Sequence, residues 1–200
     1  MQNLVKGKRI IVTGSSSGIG WETAKFLSDQ GAEVLGIDVT KNFDHVEEFY
    51  RADLGDKRTI DALVDALPDG IDGLVNNAGL PPTRPAEQLL AVNLVGLKHL
   101  TYQLIPKMND NASIVNVASL AGHGWAQAVE AIKAADGMTF DNIAAFVERW
   151  KVGSEGGRSY FFSKEVIMAW TLRNRWTWRD RGIRMNAVSP GPVDTPILGD

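Results

Sequence analysis

The run Arg9-Ile10-Ile11-Val12-Thr13-Gly14-Ser15-Ser16-Ser17-Gly18-Ile19-Gly20 decides how the rest of the chain is read. A short β-branched stretch, Arg9 to Val12, leads into a turn with glycines at 14, 18 and 20. A helix is expected from Ile19 to Gln30, with Ala24, Phe26 and Leu27 facing inward and Gly31 as its stop. Gly14 allows a tight turn, while Gly18 and Gly20 let backbone and helix approach a pyrophosphate. The helix N-terminus then offers free N–H groups and a favourable dipole to that anion. Asp38 closes the next strand, Glu33 to Asp38, eighteen residues past Gly20. A carboxylate there accepts hydrogen bonds from a ribose diol and repels a 2′-phosphate. Glycines alone would describe any glycine-rich turn. The order strand, turn, helix, strand, acid points to a dinucleotide site that takes NAD.

Beyond this unit the pattern repeats. Further strands are expected at Phe49–Ala52, Gly73–Asn77, Ala112–Ala118 and Ile183–Val188, and helices at Thr59–Leu67, Ala86–Met108 and Tyr160–Arg181. Strands apolar on both faces and separated by helices imply a parallel sheet covered on both sides. Right-handed crossovers then leave an α/β, doubly wound parallel sheet of Rossmann type as the expected fold, in a single domain over residues 1–200. Residues 120–158 interrupt the rhythm and read as a helical insertion. Strand-to-helix loops usually run about 2–6 residues, yet 41 positions separate Ser119 from Tyr160. Two helix-like patches, Trp125 to Ala135 and Phe140 to Trp150, carry the apolar positions Ala128, Val129, Ile132, Ile143, Phe146 and Val147. The expectation is an antiparallel pair that walls the substrate cleft, with Gly153 to Gly157 as a hinge.

Composition narrows the class. The chain has 200 residues, 44% of them hydrophobic, enough for one filled core. A net charge of −3 opposes a globally basic nucleic-acid binder. No cysteine is present, so disulfides, thiolate zinc and a cysteine nucleophile are excluded, and a reducing, cytoplasmic setting suits the chain. The apolar run at the N-terminus is too short for a signal core or a membrane span. His45, His99 and His123 show no metal-ligand spacing, and no metal is expected. Trp170, Arg173, Arg175, Trp176, Trp178, Arg179 and Arg181 interleave aromatic and basic side chains as single-strand binders do. Packing in a core or subunit interface accounts for them better, because arginine stems cover apolar surface. No nucleic-acid partner is expected.

Four segments together resemble the short-chain dehydrogenase/reductase family: Thr13-Gly14-xxx-Gly18-x-Gly20, Asn76-Asn77-Ala78-Gly79, Tyr160-xxx-Lys164 and Pro190-Gly191-Pro192-Val193-Asp194-Thr195. The resemblance runs from Lys8 to the end of the chain. It implies catalytic roles for Asn93, Ser119, Tyr160 and Lys164. It also implies cofactor contacts from Ser16, Ser17 and Ile19 beside the three glycines and Asp38. Asp53 and Leu54 would border the adenine, and Asn77, Ala78 and Gly79 would line the site. Pro190, Gly191, Val193 and Thr195 would cover the nicotinamide, carboxamide and pyrophosphate. Read alone, Ser119 is a strand-end serine, Asn93 a polar group inside a helix and Asp53 a loop carboxylate. Family members continue past the cofactor-covering loop with further helices and a last strand; that part of the fold is absent from this sequence, which is either truncated or belongs to a protein that lacks it. A homodimer or homotetramer is the implied assembly.

The chemistry has a physical basis. Alcohol oxidation needs a base for the hydroxyl proton while hydride leaves. An isolated tyrosine ionises near pH 10, and lowering that by about three units takes about 4 kcal/mol. One ammonium at ~4 Å in an effective dielectric of about 20 supplies about that much. Tyr160 is therefore expected as general acid/base and Lys164 as the charge that tunes it and holds the nicotinamide ribose. By resemblance, Ser119 polarises the substrate oxygen and Asn93 holds a water that relays protons through Lys164. Two functions fit. One is an NAD-dependent oxidoreductase for an alcohol and its carbonyl, a hydroxysteroid or a coniferyl-type aromatic alcohol, the insertion resembling that of such members. The other is a catalytically idle NAD(H)-binding sensor, which has no use for Asn93, Ser119, Tyr160 and Lys164 together.

Overall fold

The computed structural model describes residues 4–195. Six parallel strands form one sheet: β1 (Arg9–Thr13), β2 (Glu33–Asp38), β3 (Glu48–Arg51), β4 (Ile71–Asn76), β5 (Met108–Val117) and β6 (Arg184–Val188). Their order is β3-β2-β1-β4-β5-β6, the doubly wound arrangement expected. The chain reverses direction across the sheet between β1 and β4. At such a switch point the strand C-termini open a crevice, and the glycine turn after β1 lies at its edge.

The helices are α1 (Gly18–Asp29), α2 (Lys57–Ala66), α3 (Ala86–Leu90), α4 (Leu97–Leu104), α5 (Val129–Ala134), α6 (Ile143–Trp150) and α7 (Arg158–Asn174). Ile11, Leu35, Ile37, Leu74 and Ile114 form the centre of the larger core with Leu63, Leu90, Leu94, Phe162 and Trp170 from the helices. A smaller cluster on the other face joins Ile10, Val12 and Val34 to Ala24 of α1. Asp56 starts α2 by accepting a hydrogen bond from Arg58 N at 2.9 Å.

Four local expectations change. Phe26 does not face inward but is 65% exposed. It lies two residues past Ala24, about 200° around the helix, while Leu27 returns to the Ala24 face. Ala86 to Met108 is not one α-helix. A π-helical turn, Ala91–Gly96, separates α3 from α4, and the end is a short 3-10 turn followed by β5. The last long helix stops at Asn174, whose Nδ2 donates to Trp170 O. Its continuation bends back so that Trp178 meets Tyr102 edge-on, and Gly182 at φ 67° turns the chain into β6. The helices α5 and α6 do not form an antiparallel pair. α6 packs on α3 and, through Phe146, on Phe162 of α7, while α5 packs on α7. Their apolar faces found the body of the domain before they found each other.

The Trp/Arg stretch is largely spoken for. Trp170 is buried and donates to Tyr102 Oη, Arg173 pairs with Asp136, and Arg181 binds Asp110 and the carbonyls of Ile105, in the 3-10 turn, and Met108, the first residue of β5. Trp176 remains exposed. Among the described residues no helix is long and apolar enough to cross a membrane.

Candidate active site

Every expected site residue except Asn93, Tyr160 and Lys164 lies in the loops at the C-terminal ends of the six strands or, for Ser17 to Gly20, at the start of α1; those three come from helices that lean over this rim. Gly14 has φ 68°, and a Cβ there would sit 2.8 Å from Asn77 Nδ2 and 2.9 Å from Ala78 Cα. A Cβ on Gly20 would lie 1.9 Å from Gly14 O. Both glycines are therefore demanded by the protein itself, before any ligand is considered. Asn77 Nδ2 donates to Thr13 O (3.1 Å) and Gly14 O (3.3 Å). Thr13 Oγ1 accepts from the N–H groups of Asn77 and Ala78, both at 3.0 Å. Thr13 was not among the expected site residues. It braces β4 against the glycine turn, and only its place at a strand end hinted at this.

Ser17 precedes the first turn of α1 without a capping bond from its side chain, so its hydroxyl and the α1 N–H groups face a prospective anion. Gly18 and Ile19 meet Val193 and Thr195 across a cavity of about 570 Å³, bringing together residues more than 170 positions apart. Asp38 is held at both oxygens: Oδ2 accepts from Ser16 N at 3.1 Å and Oδ1 from Thr40 N at 2.9 Å. Ser16 Oγ donates to Thr40 O at 2.6 Å, and Asn42 Nδ2 to Ser16 O at 3.3 Å. The loop after β2 is thus tied to the glycine turn. Thr40 and Asn42 also escaped the sequence reading, because nothing in a polar loop marks which side chain turns back. Asp53 Oδ1 accepts from Gly55 N at 2.7 Å, and Leu54 is buried with its carbonyl where a Cβ on Gly96 would be 1.8 Å away. Gly96 ends the π turn, so that turn carries the Asp53–Leu54 loop directly on its backbone. These glycines, the uncapped N-terminus and the paired carboxylate fit a dinucleotide: Gly14, Ser17, Gly18 and Ile19 at the pyrophosphate, Asp38 at a ribose.

Asn93 lies buried in the π turn. Its Oδ1 accepts from Leu80 N at 2.7 Å and its Nδ2 donates to Leu80 O at 3.0 Å. The amide clamps the loop after Gly79 and keeps one N–H and one oxygen lone pair beyond these two bonds. Ser119 begins the 3-10 segment Leu120–Gln127, its Oγ accepting from Ala121 N at 3.1 Å, which leaves its O–H to donate elsewhere. Pro190 O accepts from Leu120 N at 3.0 Å and ties the cofactor-covering loop to that segment. Tyr160 and Lys164 lie one turn apart on α7. Lys164 is 6% exposed, its Nζ donating to Val117 O at 3.0 Å and lying 5.6 Å from the Tyr160 ring centre. Burial pulls the Lys164 ammonium down to about 8. Gly156 and Gly157, both left-handed, make a tight turn into α7, and Ser154 Oγ bonds Arg84 O at 3.3 Å. His123 is exposed, its Nδ1 against Leu120 O.

The glycine turn, the switch-point crevice and the Tyr160–Lys164 pair beside a strand-end serine define a dinucleotide-dependent oxidoreductase. The chain belongs to the short chain dehydrogenase family, whose model matches residues 8–135. It is 38% identical over 195 residues to a coniferyl-alcohol dehydrogenase of a Pseudomonas species (strain HR199), across 96% of this chain and 76% of that protein. It is 29% identical over 200 residues to the 3-alpha-hydroxysteroid dehydrogenase/carbonyl reductase of Comamonas testosteroni, covering 94% and 74%. The crystal structure of a 3-alpha-hydroxysteroid dehydrogenase from Pseudomonas sp. B-0831 complexed with NADH superposes with a TM-score of 0.80 at 29% identity, covering 96% of this chain and 75% of that one. The protein is an oxidoreductase, an alcohol dehydrogenase or carbonyl reductase by kind.

Proposed function

We propose that the protein is an NAD-dependent dehydrogenase that interconverts an aromatic or polycyclic alcohol and its carbonyl, with Tyr160 as general acid/base. The observation that carries this is Lys164: a lysine buried under Tyr160 and anchored at Val117 O, two residues before Ser119. Burying an ammonium is costly, and its place beside a tyrosine gives the cost a purpose. Its positive charge favours the phenolate, so Tyr160 can take the hydroxyl proton of an alcohol as the carbon–hydrogen bond gives up hydride. Bound NAD would accept that hydride at the nicotinamide ring. In reduction Tyr160 returns a proton to the carbonyl oxygen. Ser119 donates its hydroxyl to the same oxygen and holds it toward Tyr160. A proton-relaying water would be held at Asn93, by the amide N–H that Leu80 leaves free or by a main-chain carbonyl of the π turn, where the regular helical ladder is broken.

NAD rather than its 2′-phosphorylated relative is favoured by charge. Asp38 faces the ribose position, the Lys41 ammonium lies over the Phe43 ring at 4.8 Å, and Arg51 Nε is committed to Val39 O at 3.1 Å. The substrate class follows the relatives named for coniferyl alcohol and hydroxysteroids. Exposed Leu120 and Phe161, next in sequence to Ser119 and Tyr160, give such a body apolar surface to rest on. An idle NAD(H) sensor could use Lys164 at the ribose but would have no use for Tyr160 and Ser119 beside it. A cytoplasmic setting agrees with the absence of cysteine, and a homo-oligomer is the assembly we expect. A screen of aryl and steroid alcohols with NAD, following nicotinamide absorbance, tests the proposal. Turnover that disappears in Tyr160→Phe is expected, and cofactor binding without turnover of any alcohol or ketone would favour the sensor.

A further inference from the structure

Arg158 is the first residue of α7, where the partial positive charge of a helix N-terminus disfavours a cation. It is nonetheless held there by two parallel bonds, Nη1 to Glu165 Oε1 at 2.9 Å and Nη2 to Oε2 at 2.8 Å. The guanidinium also lies over Phe162, 5.5 Å from the ring centre. Glu165 is 5% exposed and directly follows Lys164. The pair therefore brackets the reacting side chains along the helix, Arg158 two residues before Tyr160 and Glu165 one after Lys164.

The same carboxylate faces the segment that leads away from Ser119. A Cβ on Gly124 would lie 3.1 Å from Glu165 Oε1, and one on Gly122 would lie 2.7 Å from Lys164 O and 2.6 Å from Met168 Sδ. The main chain at Gly122 and Gly124 thus rests on α7 at Lys164, Glu165 and Met168, with no room for a side chain at position 122 and a tight fit at 124. An ion pair buried on its carboxylate side adds little net stability, since desolvation consumes much of the Coulombic gain. What it does supply is fixed geometry, because a two-pronged Arg–carboxylate contact tolerates little sliding or rotation.

We propose that Arg158 and Glu165 are positioning residues that hold the Ser119 segment and the Tyr160–Lys164 turn of α7 in register at the substrate oxygen. This rests on the roles given above to Ser119, Tyr160 and Lys164. Arg158→Ala, Arg158→Lys and Glu165→Gln are compared with the parent for kcat per cofactor site, sites being counted by NADH fluorescence titration. Misplacement at the scale of an ångström costs up to about a hundredfold, so a loss of at least about tenfold in kcat is expected for Arg158→Ala and Glu165→Gln. NADH affinity should stay within about twofold, and Arg158→Lys should recover part of kcat through its single-pronged contact. A purely structural pair would lower the unfolding temperature and leave kcat per site unchanged, and that result in Arg158→Ala overturns the proposal. Arg158 lies at the helix end with its side chain partly in solvent, so this variant decides the matter even if Glu165→Gln does not fold. A parent protein that oxidises no alcohol refutes the active-site assignment itself. An active parent, an inactive Tyr160→Phe and an unaltered Arg158→Ala refute the positioning role alone.

Discussion

Tyr160→Phe removes one hydroxyl, the proton carrier, and no group that the structure shows bracing the cofactor loops. Turnover is expected to fall by at least about 10²–10⁴-fold, with NADH binding nearly unchanged by fluorescence titration. Lys164 makes a less obvious prediction. Its native pKa of about 8 lies below the ordinary lysine value of 10.5, so the folded state binds the proton less well than the unfolded one. The penalty is present in full below pH 8 and disappears as pH rises from 8 to 10.5, so this group's contribution to stability improves over that window. Lys164→Met should abolish turnover yet stabilise the fold by about 1–3 kcal/mol at pH 7, after the lost bond to Val117 O is subtracted. Urea unfolding at pH 7 and 10.5 reads it: the gain should vanish at the higher pH, and a variant less stable than the parent at pH 7 contradicts the burial argument. At Gly20 the test is steric. Gly20→Ala places a methyl on Gly14 O, so the turn must open and cofactor affinity should fall about a hundredfold or more, read by the same titration.

Among the elements, the insertion carries the clearest prediction. Its contacts fall on α3, α4 and α7: α6 packs on α3, Lys98 Nζ donates to Ala135 O at 3.1 Å, His99 meets Phe140 edge-on, Phe146 lies on Phe162 and Arg173 pairs with Asp136. Replacing residues 128–153 by a short Gly/Ser loop would uncover those helix faces and their apolar side chains. The shortened protein should associate further, by sedimentation velocity, because exposed apolar surface of this size seeks a partner. Its Michaelis constant for bulky alcohols should rise while NADH affinity holds. Unchanged association and an unchanged constant would show that the insertion neither guards an interface nor walls the cleft. The limits of sequence reading are also plain at this scale. The apolar patches around Ile132 and Phe146 were legible from their spacing, and the choice of partner was not. Periodicity reports that a helix has an apolar face, whereas which surface covers it depends on where the chain returns in space. The π turn was hidden for the same reason, since Ala91 to Gly96 has good helical spacing and nothing local marks the wider ladder or the Leu54 carbonyl that lies against Gly96.

At the scale of the whole molecule, a buried polar chain runs along β4 and β5 from α4 to α7, the helix that carries Tyr160 and Lys164. Asn76 Nδ2 donates to Thr101 Oγ1 of α4 and to Asn116 Oδ1, and Asn116 Nδ2 donates to Thr171 Oγ1 of α7, each at 2.9 Å. Asn116→Ala would remove one of the two bonds made by Asn76 Nδ2 and the bond accepted by Thr171 Oγ1, and would open a buried gap between them, so a loss of about 2–4 kcal/mol in urea unfolding is expected. A loss under about 1 kcal/mol would mean that water replaces the amide. By itself the sequence determined the doubly wound order of elements, the glycine turn, the acid closing β2 and the Tyr160–Lys164 spacing. These follow from local rules, because strand burial, helix period and glycine's freedom act over a few residues. Only the tertiary structure decided that Asn77 and Thr13 brace the turn, that Asn93 spends its amide on Leu80, that Phe26 faces outward and that Glu165 holds Arg158 against α7. Each depends on groups brought into contact by packing, and hydrogen bonds and van der Waals contacts reach only a few ångströms, whatever the separation along the chain.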